Sequence, residues 1–181
     1  MNTQPCVYIM IGIPGSGKST YAQTLGVPIL STDELRKELV GDAADVNTLS
    51  RDEIYTRLLQ RAKEYVAQGT SFVFDATNVD PVQRSTVLQQ LKKEGQKLIG
   101  VVLAVPLETA LDRNAGRDRN VPVSRIEEMH TQLVEHPLDT ESELYDEVQM
   151  VDEQGRAHVV YQREGGTQEA RTIISPEWHP M

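Results

Sequence analysis

The chain has 181 residues, 39% of them hydrophobic and 5% aromatic, and a net charge of −9 at neutral pH. That is enough for one domain with a core, and no apolar run approaches the ~18 residues of a membrane span. The N-terminus lacks the basic segment and apolar core of a secretory signal, so a cytoplasmic protein without membrane contact is expected.

Residues 6–11 (CVYIMI) form a short continuous apolar run, the signature of a buried parallel strand. The single cysteine, Cys6, falls inside it, which excludes an internal disulfide and predicts a buried structural thiol. A glycine-rich segment follows, and a helix starts near Lys18. Residues 28–30 read as a second strand, after which Ser31, Thr32 and Asp33 offer N-caps for a helix to about Val40. After a loop over 41–50, Ile54, Leu58, Leu59, Ala62 and Val66 give helical periodicity over 51–67, ended by Gly69. Residues 71–74 (SFVF) are a strand ending at Asp75, and Asp80-Pro81 opens a helix to about residue 94. A long buried strand over 98–105 and a helix from Pro106 to about Ala115 follow. The polar, basic loop 116–120 precedes a helix over 122–135, closed by Pro137. A last strand at 148–151 can pair back with 157–162 as a hairpin, and the stretch from Gly165 to Met181 reads as a loosely attached tail.

Repeated strand–helix units with short links imply an α/β fold, a parallel sheet flanked by helices. The expected division is one domain over residues 1–151 and a hairpin or tail over 152–181. Charge is uneven: residues 1–83 carry −3, residues 84–126 carry +4 and residues 127–181 carry −10. An acidic total argues against a broad nucleic-acid footprint. The middle segment alone could build a small basic site, or it is a solvated surface. Residues 135–147 are read as an acidic solvated face.

Gly12-Ile13-Pro14-Gly15-Ser16-Gly17-Lys18-Ser19 fits the P-loop pattern G-x-x-x-x-G-K-[ST] at every fixed position. Its glycines let successive backbone N–H groups turn toward phosphate oxygens, and the following helix adds its N-terminal dipole. In that chemistry Lys18 meets the β- and γ-phosphates of ATP and the Ser19 hydroxyl ligates Mg²⁺. Thr20 closes the loop as a packing and helix residue. An apolar strand before and a helix after supply the context the motif requires.

Three further features bear on what such a loop serves. Asp33 and Arg36 are three apart, on one helix face beyond a strand end, where α/β sheets bind ligands. Asp33 is either a general base for an acceptor hydroxyl or only an N-cap, and Arg36 either forks onto a phosphate or is a surface residue. Asp75, ending an apolar strand, is either a Walker B carboxylate orienting Mg²⁺ or a strand-end cap. Arg113, Arg117 and Arg119 around 116–120 either close over a transferring phosphoryl group or form a solvated loop.

Together the segments GIPGSGKSTYA, STDELRKEL, VFDATNVDPVQR, RNAGRDRNVP and SRIEEMHTQL resemble the 5′-kinase module of phage and bacterial polynucleotide kinase/phosphatases, over roughly residues 7–151. The resemblance implies a P-loop kinase fold with an arginine-bearing lid around residues 113–122. It implies ATP and Mg²⁺ at Lys18 and Ser19, Asp33 as general base for a 5′-hydroxyl, and Arg36 on the acceptor's 3′-phosphate. Arg117 would be the lid arginine and Asp75 the strand-end acid. The substrate would be a 5′-OH nucleic-acid end, short or single-stranded, and a separate phosphatase or ligase a partner. A kinase of another hydroxyl acceptor, and a nucleotide-dependent ATPase or switch, stay open. His130, His136, His158 and His179 lack metal-ligand spacing, and Trp178 is expected to pack rather than stack on a base.

Overall fold

The computed structural model describes residues 4–41, 49–93, 95–163 and 172–177; Trp178, His179, Gly165 and Gly166 lie outside them. In chain order the elements are β1 (Cys6–Ile11), α1 (Lys18–Gln23), β2 (Ile29–Ser31), α2 (Thr32–Val40), α3 (Arg51–Ala67), β3 (Phe72–Asp75), α4 (Pro81–Leu91), β4 (Lys97–Leu103), α5 (Leu107–Ala115), α6 (Val123–Glu135), β5 (Leu138–Asp139), β6 (Glu147–Val151), β7 (Ala157–Gln162) and β8 (Ile173–Ile174). Local chemistry explains most boundaries. Ser31 caps α2, Ser50 and Glu53 form a capping box on α3, and Asp80 caps α4 with Pro81 in its first turn.

Six strands form one sheet in the order β2-β3-β1-β4-β6-β7. All neighbours are parallel except β7, which returns antiparallel along β6. Alternation along the strands divides the core between two faces. Val7, Ile9, Ile11, Phe72, Phe74, Leu98 and Val102 face one cluster, with Ile54 and Leu58 of α3, Val87 and Leu91 of α4, and Ile126 and Leu133 of α6. Met10, Val73, Ile99, Val101, Leu103 and Val151 face the other, against Ala22 of α1 and half-buried Tyr21 and Leu25. Because the parallel strands share a direction, their carboxyl ends lie along one rim. There β1 runs into the glycine-rich loop and Ser31 sits opposite Asp75 in register.

Three expectations need correction. The helix from Pro81 stops at Leu91, because Lys92 adopts an extended backbone. The acidic segment 135–147 is not a solvated face: Leu138, Thr140, Glu143, Tyr145 and Glu147 are buried. The Tyr145 ring lies against Gly100 of β4, where an added Cβ would come within 3.0 Å of it. The acidic side chains tolerate this because they are paired. Glu143 takes Nε and Nη2 of fully buried Arg84, each at 3.2 Å, and Glu147 takes Nζ of Lys97 at 2.5 Å. Nor are residues 172–177 a loose tail. Ile173–Ile174 pairs antiparallel with Leu138–Asp139, the Thr172 amide donates to Thr140 Oγ1 at 2.9 Å, and Ile174 is buried. Cys6 is half-buried, and burial pushes its thiol above the usual cysteine value. Among the described residues no helix is long and apolar enough to cross a membrane.

Candidate nucleotide and acceptor site

The strand-end rim opens into a cavity of about 1380 Å³. Pro14, Gly15, Ser16, Gly17, Lys18, Ser19 and Thr20 line it together with Asp33, Arg36, Asp75, Arg113 and Arg117. Gly12 lies buried just beneath.

The loop from Gly12 to Gly17 is held by its backbone. The Gly12 amide donates to the Thr77 carbonyl at 3.0 Å, tying the loop to the end of β3, and the Ser16 amide donates to the Ile13 carbonyl at 3.2 Å. Gly15 sits at φ 82°, and a Cβ there would lie 2.2 Å from the Ala110 carbonyl of α5. Only glycine fits that position. Lys18 Nζ donates to the Ile13 carbonyl at 3.0 Å, folding the side chain back across its own loop. Burial drives the Lys18 ammonium down to about 8, Asp75 and Asp33 draw it back up, and Arg117 lowers it further. All three charges therefore act at the mouth of the loop.

Ser19 Oγ donates to Asp75 Oδ2 at 3.0 Å. Asp75 is 5% exposed, and burial raises its carboxyl above the usual aspartate range, while Lys18 and the Ser19 hydrogen bond pull it down. A buried carboxylate beside a hydroxyl, in an oxygen-only setting, suits a hard divalent cation such as Mg²⁺. Ser16 Oγ is buried with no hydrogen-bond partner among the described residues. These three features fit a nucleotide phosphate with its metal: an orphan donor, an ammonium resting on a carbonyl, and a hydroxyl–carboxylate pair.

Asp33 and Arg36 occupy the first half of α2. Ser31 Oγ caps that helix by accepting from the Glu34 amide at 3.4 Å, so the Asp33 carboxylate is left for the cavity. Its charge reaches both Lys18 and Asp75. The register of Ser31 opposite Asp75 explains the convergence, since it starts α2 directly beside the end of β3.

The arginines divide. Arg113 Nη1 donates to the Ser16 carbonyl at 3.4 Å, so this residue touches the glycine-rich loop itself. Arg117 lies just past α5 and lines the cavity, whereas Arg119 does not line it. Buried Asn114 exchanges hydrogen bonds with Val121, Nδ2 to its carbonyl at 2.8 Å and Oδ1 from its amide at 2.9 Å. The basic loop is thus pinned at both ends. Asn114 went unnoticed in the sequence because its partner is a backbone, although it stands between the two arginines of R-N-x-x-R.

Tyr55, Arg51 and Arg125 also line the cavity; no motif covers the first two, and Arg125 lies in the segment SRIEEMHTQL without a role attached to it. Tyr55 Oη donates to Asn78 Oδ1 at 2.8 Å. Asn78 takes φ 49° and donates Nδ2 to the Met10 carbonyl at 2.7 Å, bracing the turn after Asp75.

A family profile described as an AAA domain matches residues 7–136. A curated relative from Autographa californica nuclear polyhedrosis virus, named as a bifunctional polynucleotide kinase/RNA ligase, is 30% identical over 129 residues. The match covers 64% of this chain and 19% of that protein, so the chain spans about a fifth of that relative's length. Among solved structures, the Pnkp1/Rnl/Hen1 RNA repair complex aligns with a TM-score of 0.61 at 23% identity, over 74% of this chain and 45% of that one. A sugar kinase from Janibacter sp. HTCC2649 aligns with a TM-score of 0.57 at 18% identity, over 83% and 86%. At these identities the two structures speak for the fold, a mostly parallel sheet flanked by helices as in P-loop kinases.

Proposed function

The chain belongs to the AAA-domain family, and on that premise we propose that it is an ATP-dependent kinase of 5′-hydroxyl nucleic-acid ends. One observation carries this: Asp33 and Arg36 share a cavity with Lys18 and the Ser19–Asp75 pair. A nucleotide hydrolase or switch needs only water as its acceptor, whereas a carboxylate and a guanidinium three residues apart suit a hydroxyl acceptor that also carries a phosphate. The resemblance to the viral polynucleotide kinase/RNA ligase favours a nucleic-acid acceptor over a sugar.

The loop amides and Lys18 hold the β- and γ-phosphates of ATP, Lys18 exchanging the Ile13 carbonyl for phosphate oxygen. Ser19 and Asp75 would hold Mg²⁺, which when bound neutralises charge on the phosphates. Arg36 holds the acceptor's 3′-phosphate and sets its 5′-hydroxyl in line with the γ-phosphorus. Asp33 takes the hydroxyl proton as the oxygen–phosphorus bond forms and the bond to the β-phosphate oxygen breaks, leaving ADP. Arg117 meets the charge on the transferring group, and Arg113 steadies the loop through Ser16. The kinase unit is residues 1–151 with 113–122 as the closing segment. A phosphatase or ligase on another chain could act on the same ends.

The similarity to a sugar kinase gives a second reading, a small-alcohol acceptor, and one experiment separates them. Labelled ATP is offered with a 5′-hydroxyl oligonucleotide, nucleosides and sugars. Label on the oligonucleotide is expected. Label on a sugar, or free phosphate without acceptor, overturns the proposal. Asp33→Ala should lower transfer by roughly 10²–10⁴ while ATP affinity holds; equal loss of both in a folded variant would remove Asp33 as the base.

A further inference from the structure

A second cavity, of about 410 Å³, lies between α3 and α4. It shares Tyr55 and Gln83 with the main cavity, so the two adjoin. On α3, Ile54 and Tyr55 line the main cavity, while Leu59 and Lys63 line only the smaller one. On α4, Val82 and Gln83 line the main cavity, while Thr86 and Gln90 line only the smaller one. These residues recur every three or four positions, so each helix gives one face to a groove that leads away from the strand-end rim. From Tyr55 to Lys63 it follows about 12 Å of helix, at about 1.5 Å per residue.

The lining is neutral and polar. The side-chain amides of Gln60, Gln83 and Gln90 have no hydrogen-bond partner among the described residues. Lys63 is the one charged residue of that lining, and no carboxylate belongs to it, in a chain of net charge −9. Beside Gln83, Val82 is 74% exposed on the main cavity, an apolar side chain left open to water.

We propose that this groove seats the base of the acceptor strand's second nucleotide, with the free amides on its edge and Val82 against the strand as it enters. The inference rests on the kinase reading above and extends it. An amide donates and accepts at once, as the edges of nucleobases do. Single strands are recognised through bases splayed out in this way. Grip on a base rather than on phosphates also needs no broad basic face, which suits an acidic protein.

The test compares kcat/KM for a 5′-hydroxyl trinucleotide and for the same strand made abasic at its second nucleotide. Every phosphate is kept, so charge contacts cancel. The intact strand is expected to be favoured about tenfold. Gln60→Trp and Thr86→Trp each fill the groove from an exposed position and should bring that ratio near one. A ratio near one in the unmodified protein overturns the seat and leaves the groove to a peptide. A ratio untouched by both substitutions also overturns it, because the base is then held elsewhere. Should those variants not fold, the unmodified protein still decides. A 4-thiouridine at the second nucleotide, photolysed on the enzyme, should crosslink within α3 or α4, and a crosslink elsewhere or none overturns the proposal. Transfer to a sugar and to no oligonucleotide is a separate result, which removes the reading on which the groove rests.

Discussion

The glycine-rich loop and the buried Arg84–Glu143 pair hold opposite ends of the same turn, and they differ in how they are specified. The loop is local: eight consecutive residues carry its geometry, its donors and its charge, and its neighbours in space are the ends of adjacent strands. The pair is made by residues 59 apart. Arg84 donates to Glu143 and also to the carbonyls of Asn78, Val79 and His136, so it joins the turn after β3 to the segment after α6. One region binds by exposing polar groups to a cavity, while the other braces by burying them. The turn at the rim is therefore held by a polar contact that does not line the cavity.

The largest expected effect tests whether the brace is as buried as described. Arg84→Ala leaves the Glu143 carboxylate without its charge partner, with the Asp139 amide still donating at 3.4 Å, and three carbonyls without a donor. Breaking a buried pair from one side costs roughly 3–5 kcal/mol, readable as a lower urea midpoint at unchanged slope. Arg84→Met with Glu143→Leu removes both charges and should recover the part of that loss owed to the uncompensated carboxylate, while the three carbonyls still lack a donor. A loss below about 1 kcal/mol for Arg84→Ala would mean that the segment is solvated after all, as its acidic composition alone suggests.

That contrast also marks what the sequence could tell. Helices α2, α3 and α6 and the β6–β7 hairpin were legible, because caps and apolar periodicity are written within each segment. The P-loop, Asp33, Arg36 and Asp75 were legible as candidates for the same reason, and their shared cavity follows from parallel topology. Arg84 was invisible: an arginine in a helix reads as solvated until its carboxylate is placed, and no spacing rule links it to Glu143. Arg51 and Arg125 were missed because their convergence depends on how α3 and α6 are set against the sheet. The pairing of 138–139 with 173–174 was missed because two-residue strands carry no period.

The next effect belongs to the loop and turns on proton linkage. Lys18 titrates at about 8 in the free protein, well below an ordinary lysine. Bound phosphate favours the charged form, so above pH 8 ATP binding must take up a proton. Affinity should then fall by about tenfold per pH unit above 8, since one pKa unit corresponds to 1.36 kcal/mol. Without ligand the sign is opposite. The unfolded chain binds more protons between pH 8 and 10.5, so stability gains from Lys18 as pH rises through that window. Lys18→Met should abolish both slopes. Calorimetry in buffers of different ionisation heat reads the uptake directly, and zero uptake at pH 9 would show that Lys18 keeps its proton throughout.

The smallest effect joins the two regions. Tyr55 lines the cavity, stacks edge-on against Phe74 with ring centroids 5.6 Å apart, and donates to Asn78, whose carbonyl Arg84 also holds. Tyr55→Phe keeps the ring and removes one hydrogen bond, leaving Asn78 Oδ1 short of a donor at a cost of about 1 kcal/mol. If brace and loop are independent, activity measured well below the melting temperature should change little. If the turn after Asp75 depends on Asn78 at φ 49°, kcat should fall more than stability does, while KM for ATP stays put. Asn78 donates to the Met10 carbonyl and the Gly12 amide donates to Thr77, so a loosened Asn78 disturbs both strands that frame the glycine-rich loop. A variant with normal kcat and a 1 kcal/mol loss would confine the brace to stability. A variant with normal stability and lowered kcat would make Tyr55 part of the acceptor wall instead.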